Sequence, residues 1–435
     1  MQYLVSTLFI VEFLLLVIIL LYTLFKSGVN FKVGISFALL YFVFIPVWVM
    51  IFSGNLELSK ADFGQTQLTD ILLKDNIKSS FILLLFIFSI IIYLYFPSIK
   101  TRSLKQIIFT PSIKIYLSIY SIGMLIIFVG SGLLQGGNWY DNRHNFFDSY
   151  GNLTLLVAFV LNSSKILIIA SLTHNWLIKK TSFLKFLLYV GSFAIFDMVF
   201  SGNRIYLFCT VTLIALIYVK KFPKKTLQLT PVIIPSIFIF GYFASIFKHI
   251  RGPLFYHGLP TFKIFVLALI RAIGIEPPNP TLFFLGISEA VNVNVIYTLF
   301  NSYDNFLYGT TFLKPIFFYL PRSIWESKPE SITIITAKTY GGASLVTTII
   351  GEMYMNFYLF GLIILPIFLW FIDNILTLSL KKYGSISRLI MFIIGLLMFR
   401  MPFSDEFLVF MFLILILELS NNFKRYKFKI RENEY

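Results

Sequence analysis

Apolar runs of roughly 17–25 residues recur along the whole chain, and a helix of that length crosses a bilayer. A membrane β-barrel would instead show short segments in which apolar and polar residues alternate. In lipid each long apolar run must satisfy its own backbone hydrogen bonds, and a helix does so. We therefore predict an all-α polytopic membrane helix bundle of one domain, residues 1–435, with about eleven spans. The predicted spans are residues 3–25, 33–53, 80–97, 115–135, 153–178, 186–202, 205–219, 229–250, 353–372, 389–402 and 406–420.

The amino-acid composition favours the same class. Hydrophobic residues make up 58% of the 435 residues and charged residues 13%, whereas soluble domains carry about 25% charge. The single cysteine, Cys209, excludes an intramolecular disulfide and a zinc site built from cysteines. The four histidines form no HExxH or clustered spacing, so the sequence predicts no metal and no other cofactor.

Lysine and arginine concentrate in alternate short loops, and such loops face the cytoplasm in membrane proteins. The loop after the fifth span, with Lys179, Lys180 and Lys185, is typical. This pattern predicts an outer N-terminus, a cytoplasmic C-terminus and an odd number of spans. It also explains the net charge of +16 as a topology signal, so binding to nucleic acid is not predicted.

One outer segment, residues 251–352, is much longer than the other loops and separates spans eight and nine. Within it, residues 262–275 form an apolar stretch that is too short to span and that carries Arg271, which predicts an interfacial or re-entrant helix. Residues 281–300 predict a second, partly buried helix. The chain shows no internal repeat, so we predict one membrane domain with a large outer loop.

Arginine is the most informative residue on the predicted outer side, where topology does not require positive charge. A guanidinium group is always charged, and it binds phosphate through a planar fork. Such a group of arginines would suit a diphosphate-linked lipid substrate when no metal is bound, although each arginine taken singly is equally an interfacial anchor or a salt-bridge partner. The outer arginines are Arg143, Arg204, Arg251, Arg271, Arg322 and Arg400.

Two outer segments present these cations in restricted positions. Asn203 and Arg204 occupy a very short turn between two spans, so Arg204 is expected to point into a cavity of the bundle. Residues 321–329 begin and end with proline and exclude a continuous helix. This rigid segment would hold a diphosphate through its arginine and lysine beside a sugar ring stacked on Trp325, or else form a lid anchored by that indole.

Candidate general bases lie at three places on the outer side. Glu352 is at the outer end of span nine, where it is either a base or a favourable charge near a helix N-terminus. Asp141 lies beside Arg143 in a polar, aromatic loop that suits sugar contact or a membrane interface. His257 is a further, weaker candidate.

Charged residues inside the spans predict structural ion pairs, because an intramembrane charge usually faces a cavity or a partner. Lys165 lies about 18 Å and Asp197 about 7 Å from the outer helix ends at 1.5 Å per residue. A direct pair between them therefore requires a shifted or tilted helix. Glu12 is an alternative partner for Lys165 at comparable depth.

Three segments resemble motifs of the Wzy-type O-antigen and oligosaccharide repeat-unit polymerases. PRSIWESKP, residues 321–329, is similar to their proline-arginine-x-x-tryptophan-x-x-lysine-proline signature. GEMYMNFYLFG, residues 351–361, resembles the glycine-glutamate-x-tyrosine-x-asparagine segment that follows this signature in the family. SGNR, residues 201–204, is similar to the family's small-residue–arginine motif before a membrane helix. In the outer loops of some members, an arginine is followed eleven residues later by a glycine. None of the arginines in the outer loops of this chain, Arg143, Arg251, Arg271 and Arg322, has a glycine at that position.

The resemblance implies a membrane glycosyltransferase of the GT-C type in a bacterial cytoplasmic (inner) membrane. It implies metal-independent polymerisation of undecaprenyl-diphosphate-linked oligosaccharide repeat units at the periplasmic face, with membrane lipid and a chain-length regulator protein as further partners. The residues predicted to contact the diphosphate are Arg204, Arg271, Arg322 and Lys328. The further predicted substrate-binding residues are Arg143, Arg251, Asn203 and Trp325. The predicted catalytic base is Glu352, followed by His257 and Asp141.

Two other functions fit parts of the pattern. An O-antigen ligase uses the same chemistry with a lipid A core acceptor, and the segment at residues 321–329 favours the polymerase over it. A flippase for lipid-linked oligosaccharides, which is a transporter, usually has a pseudo-symmetric bundle with internal repeats. The odd number of predicted spans and the missing repeat favour the enzyme.

Overall fold

The computed structural model confirms that the chain is all-helical. It describes residues 2–48, 76–99, 112–132, 142, 146, 152–201, 204–254, 261–275, 277, 291–318, 320, 324–325, 328, 330–339 and 346–432. Every regular element within these residues is a helix. A chain this apolar satisfies its backbone within helices because lipid offers no hydrogen bonds.

A helix overlaps each predicted span, although several helices are longer than predicted and the predicted span at 353–372 is divided between the helices Thr348–Phe357 and Gly361–Leu380. The helix bounds are α1 Gln2–Ser27, α2 Phe31–Leu39, α3 Asn76–Tyr95, α4 Ile113–Gly130, α5 Asn152–Leu177, α6 Phe183–Ser201, α7 Ile205–Lys221, α8 Pro223–Leu254, α9 Phe262–Ile275, α10 Val291–Ser302, α11 Thr310–Leu313, α12 Ile332–Thr339, α13 Thr348–Phe357, α14 Gly361–Leu380, α15 Ser385–Leu397 and α16 Phe403–Glu432. A π-helical turn at Leu40–Phe44 extends α2, and short 3-10 turns at Tyr358–Phe360 and Lys381–Tyr383 flank α14.

The chain is a multi-pass membrane protein. Seven helical stretches of the described residues are long and apolar enough to cross a bilayer. They are Leu4–Ser27, Phe31–Trp48, Ile77–Tyr95, Ile113–Gly130, Thr154–Leu177, Phe183–Ser201 and Thr348–Tyr383. The other four predicted spans fall on α7, α8, α15 and α16, and the total of about eleven stays a prediction.

Helix α5 lies at the centre of the bundle. It packs against α4, α6, α7, α15 and α16, and its side chains from residue 163 to residue 174 are all buried. The Ser163 hydroxyl donates a 2.7 Å hydrogen bond to the carbonyl of Val409 in α16. Small hydroxyl side chains permit this close approach and find acceptors within the helices.

Helices α2 and α15 cross with their backbones in contact, and glycine makes this possible. A Cβ atom on Gly34 would collide with the carbonyl oxygen of Phe392, and one on Gly395 would lie 2.6 Å from the carbonyl oxygen of Phe31. Small residues at such crossings allow van der Waals packing between helices in lipid. This crossing joins the N-terminal helices to the C-terminal part of the bundle.

Loops that were predicted to lie on the same side of the membrane meet in the structure. At the end that carries the basic loops, the Lys32 ammonium donates to the carbonyl of Leu94 at 3.2 Å. At the opposite end, the Ser79 hydroxyl donates to the Asn301 side-chain oxygen at 2.7 Å. The orientation of these two ends relative to the cytoplasm stays a prediction.

The long outer segment contains helices where the sequence predicted them. Helix α9 has the bounds of the short apolar stretch and packs along α8 through Ile246, Ile250, Ala268 and Ala272. Helix α10 covers the second half of the predicted helix at 281–300, whose first half, to residue 290, lies outside the described residues. Tyr297 in α10 is buried, and this burial raises its pKa to about 12.

The crossing of α2 and α15 can be tested with Gly34→Ala. The added methyl group meets backbone atoms that cannot move aside, so we expect a destabilisation of about 1–3 kcal/mol. Gly191→Ala in α6 is the matched control, since nothing lies within 4 Å of its added Cβ. Thermal unfolding of the purified protein in detergent measures both variants. Equal midpoints for the two would contradict the close crossing.

Candidate functional site

Three segments far apart in sequence meet through polar side chains at the predicted outer end of the bundle. They are the segment around α11, the helix α13 and the first turn of α16. We name their polar side chains the outer acid–base cluster, which consists of Thr311, Lys314, Glu352, Asn356 and Asp405. It contains both buried and partly exposed charges.

Glu352 lies at the centre of the outer acid–base cluster and is completely buried. Its Oε1 accepts a hydrogen bond from the Thr311 hydroxyl at 3.1 Å, and its Oε2 accepts one from the Phe403 backbone N–H at 2.7 Å. Phe403 opens α16, and the first N–H groups of a helix have no partner within it. The carboxylate therefore satisfies a helix N-terminus, where the helix dipole favours negative charge.

Asn356 extends this network by one helical turn. Its Nδ2 donates to the Thr311 hydroxyl oxygen and to the Glu352 backbone carbonyl, both at 2.8 Å. Residues four apart on a helix lie on the same face, so Glu352 and Asn356 both reach Thr311. The Thr311 hydroxyl thus accepts from the amide and donates to the carboxylate, which fixes its orientation.

The partly exposed part of the cluster is an ion pair. The Lys314 ammonium lies 3.1 Å from Asp405 Oδ1, and the two side chains are 19% and 23% exposed. Lys314 follows Thr311 by one turn, and Asp405 follows Phe403 in the first turn of α16. Glu352 therefore bonds Thr311 and Phe403, which lie three and two residues before the two members of the ion pair.

The position of Glu352 refines its two predicted roles. Its carboxylate does interact with a helix N-terminus, but with that of α16 and not with that of its own helix α13. In this conformation it is buried and both of its oxygens accept hydrogen bonds. Its role as a catalytic base stays a prediction.

Lys328 and Trp325, both predicted to contact substrate, pack onto the segment that precedes them. The Lys328 ammonium donates to the carbonyls of Phe318 at 2.8 Å and Leu320 at 2.7 Å. The Trp325 ring packs edge to face on Phe317, with 5.4 Å between ring centroids. These contacts hold both side chains against the segment between α11 and α12. The contacts of Lys328 and Trp325 with substrate stay predictions.

The other predicted substrate contacts are spread over three helices. Arg204 is half-buried at the start of α7, while Arg251 in α8 and Arg271 in α9 are exposed on helices that pack together. Their gathering around one diphosphate stays a prediction. The remaining candidates lie outside the described residues, namely Asp141, Arg143, Asn203, His257 and Arg322.

A second buried polar group lies deeper in the bundle, between α4, α5, α6 and α7. The Lys165 ammonium lies 2.8 Å from Asp197 Oδ1, which also accepts a 3.0 Å hydrogen bond from the Tyr120 hydroxyl. Lys165 also lies 4.9 Å from the centre of the Tyr206 ring. The structure thus shows the direct ion pair with Asp197, one of the two partners for Lys165 that the sequence left open.

No family model matches the chain, and neither a curated protein nor a solved structure matches it.

Among the described residues, no group of three or more His, Cys, Asp or Glu side chains is placed to hold a metal ion.

Sequence reasoning missed most of the outer acid–base cluster. Asn356 stands in the GEMYMN segment four residues after Glu352, and this spacing on one helix face was the available signal. Thr311, Lys314 and Asp405 had no local signal, because each meets its partner across 41 to 91 residues of sequence.

Thr311→Val tests the buried part of the outer acid–base cluster. The variant keeps the shape of the side chain but removes the hydroxyl that bonds both Glu352 and Asn356. We expect a destabilisation of about 1–3 kcal/mol, because buried polar atoms lose a partner. Thr310→Val is the matched control, since within the described part of the chain that hydroxyl bonds only the nearby Leu307 carbonyl. Similar unfolding midpoints for the two variants would show that the network contributes little.

Proposed function

We propose that the protein is an O-antigen polymerase. It joins undecaprenyl-diphosphate-linked oligosaccharide repeat units at the periplasmic face of a bacterial inner membrane, without a metal, on a GT-C-like helical scaffold. The multi-pass helical architecture is compatible with this activity. The resemblance of three sequence segments to the polymerase motifs is the source of the proposal, and one structural observation supports it.

The supporting observation is that two of these motif segments contact the same stretch of chain. Lys328, in the segment PRSIWESKP, holds the carbonyls of Phe318 and Leu320. Thr311, a few residues earlier, donates to Glu352 in the segment GEMYMNFYLFG. Since both motifs anchor the residues between Thr311 and Leu320, they belong to one local structure, as parts of a single active site would.

The proposed reaction is a glycosyl transfer between two lipid-linked sugars. A hydroxyl of the incoming repeat unit attacks the anomeric carbon of the growing chain, and the bond from that carbon to the lipid diphosphate breaks. The hydroxyl proton passes to a base, and the diphosphate leaves with the bonding electrons. Cationic side chains stabilise the leaving group, which removes the need for a metal. We assign this to Arg204, Arg271, Arg322 and Lys328.

Purified protein in liposomes, supplied with an isotope-labelled lipid-linked repeat unit, tests the proposed function. A ladder of polymers is expected, and it should persist in EDTA. Transfer only to a lipid A core would indicate a ligase, and translocation without elongation would indicate a flippase. Either of these results would refute the polymerase.

The proposed diphosphate contacts are tested by Arg204→Ala and Arg322→Ala. Each variant should lower the rate of elongation about 100-fold, because a cation that stabilises the leaving group is lost. Arg388→Ala is the matched control, since Arg388 lies at the predicted cytoplasmic end, where it donates to the Ser27 carbonyl. Ladders of normal length from both outer variants would refute the assigned roles.

A further inference from the structure

Asp405 is the carboxylate of the outer acid–base cluster that a substrate can reach. Its side chain is 23% exposed, whereas Glu352 is completely buried. Lys314 bonds Asp405 Oδ1 at 3.1 Å, and within the described residues the other oxygen, Oδ2, has no hydrogen bond. A general base must come within hydrogen-bond reach of the hydroxyl that it deprotonates, and the partial exposure of Asp405 makes such an approach possible.

The two carboxylates next to Asp405 in the packed bundle, Glu352 and Glu406, are too buried for such an approach. Both oxygens of Glu352 already accept hydrogen bonds, one from Thr311 and one from Phe403. Glu406 is 2% exposed and faces a small cavity whose other walls are apolar. Neither group can approach a sugar hydroxyl without rearrangement of the packed helices.

Glu352 is well placed to control the position of Asp405. One of its oxygens holds Thr311, three residues before Lys314, and the other holds the N–H of Phe403, two residues before Asp405. A single buried carboxylate thus joins the two segments that supply the ammonium and the carboxylate of the pair. The 3.1 Å contact of the pair joins residues 91 positions apart in sequence, and Glu352, together with the packing of the Phe312 and Phe403 rings, holds their two segments side by side.

We propose that Asp405 is the catalytic base for the acceptor hydroxyl, that Lys314 orients it, and that Glu352 is a positioning residue that holds both. This inference rests on the proposed glycosyl transfer and names a base different from the one that the sequence predicted. In the step, the acceptor oxygen forms its bond to the anomeric carbon while its proton passes to Asp405 Oδ2. The bond from that carbon to the diphosphate oxygen breaks, and the diphosphate departs with the electron pair.

The experiment measures kcat and KM of the purified full-length protein in liposomes with a labelled undecaprenyl-diphosphate-linked repeat unit. Asp405→Asn should lower kcat roughly 100-fold or more while KM changes little, because binding does not need the base. Asp405→Glu, which keeps a carboxylate, should retain more activity than Asp405→Asn. Glu330→Gln is the matched control with wild-type kinetics expected, since Glu330 is also a carboxylate paired with a lysine, Lys338 at 2.6 Å, on the predicted outer side.

The positioning role of Glu352 is measured by combining variants. Glu352→Gln alone should lower kcat roughly 10–100-fold, because the base is misplaced. Added to Asp405→Asn, it should cause no further loss, since Glu352 acts through Asp405 and residues that act as a unit are not additive. If the loss of kcat in the double variant equals the product of the two single losses, Glu352 acts independently of Asp405. That result would indicate a merely structural role and would overturn this part of the proposal.

The outcomes separate this inference from the proposed function. A wild-type protein that forms no glycosidic bond refutes the polymerase itself, and the inference with it. An active wild-type protein whose Asp405→Asn variant keeps kcat within about threefold refutes Asp405 as the base and leaves the polymerase standing. If Asp405→Asn does not bind the labelled unit, the comparison of Asp405→Glu with Asp405→Gln decides, since the two side chains have the same length and only the first carries a carboxylate. A kcat at least about tenfold higher for Asp405→Glu supports the base, and equal kcat values overturn it.

Discussion

The buried carboxylate of Glu352 is the interaction on which the outer end of the protein depends. A charge removed from water is costly unless hydrogen bonds replace its hydration. Here a hydroxyl of the long outer segment and the first N–H of α16 supply those bonds. Because each partner comes from a different part of the chain, satisfying the carboxylate requires both segments to be in place, and this links the outer segment to the bundle.

The helices below support this arrangement by packing against α15 and α16. The backbone contact at Gly34 and Gly395 sets the separation of α2 and α15, and α5 packs against α15 and α16 from the centre of the bundle. Such close helix packing leaves few alternative arrangements, since protein interiors are packed as densely as crystals. The partly exposed pair of Lys314 and Asp405 is therefore presented on a rigid base.

Much of the architecture was predictable because it depends on short-range patterns. Apolar runs of membrane-spanning length identified the helices, and the short apolar stretch with Arg271 gave α9 its bounds. That Lys165 and Asp197 have charged partners was predictable because an intramembrane charge needs one, whereas the choice between Asp197 and Glu12 as the partner of Lys165 stayed open. The outer acid–base cluster was not predictable, because its contacts join residues 41 to 91 positions apart, except for the local bond between Asn356 and the Glu352 carbonyl. A threonine or a lysine in an outer loop carries no sign of its distant partner.

The junction at Glu352 can be observed directly by measuring the distance between two spin labels in the purified protein. One label replaces Tyr308, which is 83% exposed on the outer segment, and the other replaces Met411 on α16, which is 43% exposed. The buried Cys209 is changed to serine so that only these positions are labelled. A narrow distribution of distances is expected when Glu352 is present, and a clearly broader one is expected in Glu352→Ala. A distribution of the same width in both proteins would show that the outer segment is held by other contacts and that the carboxylate does not join it to α16.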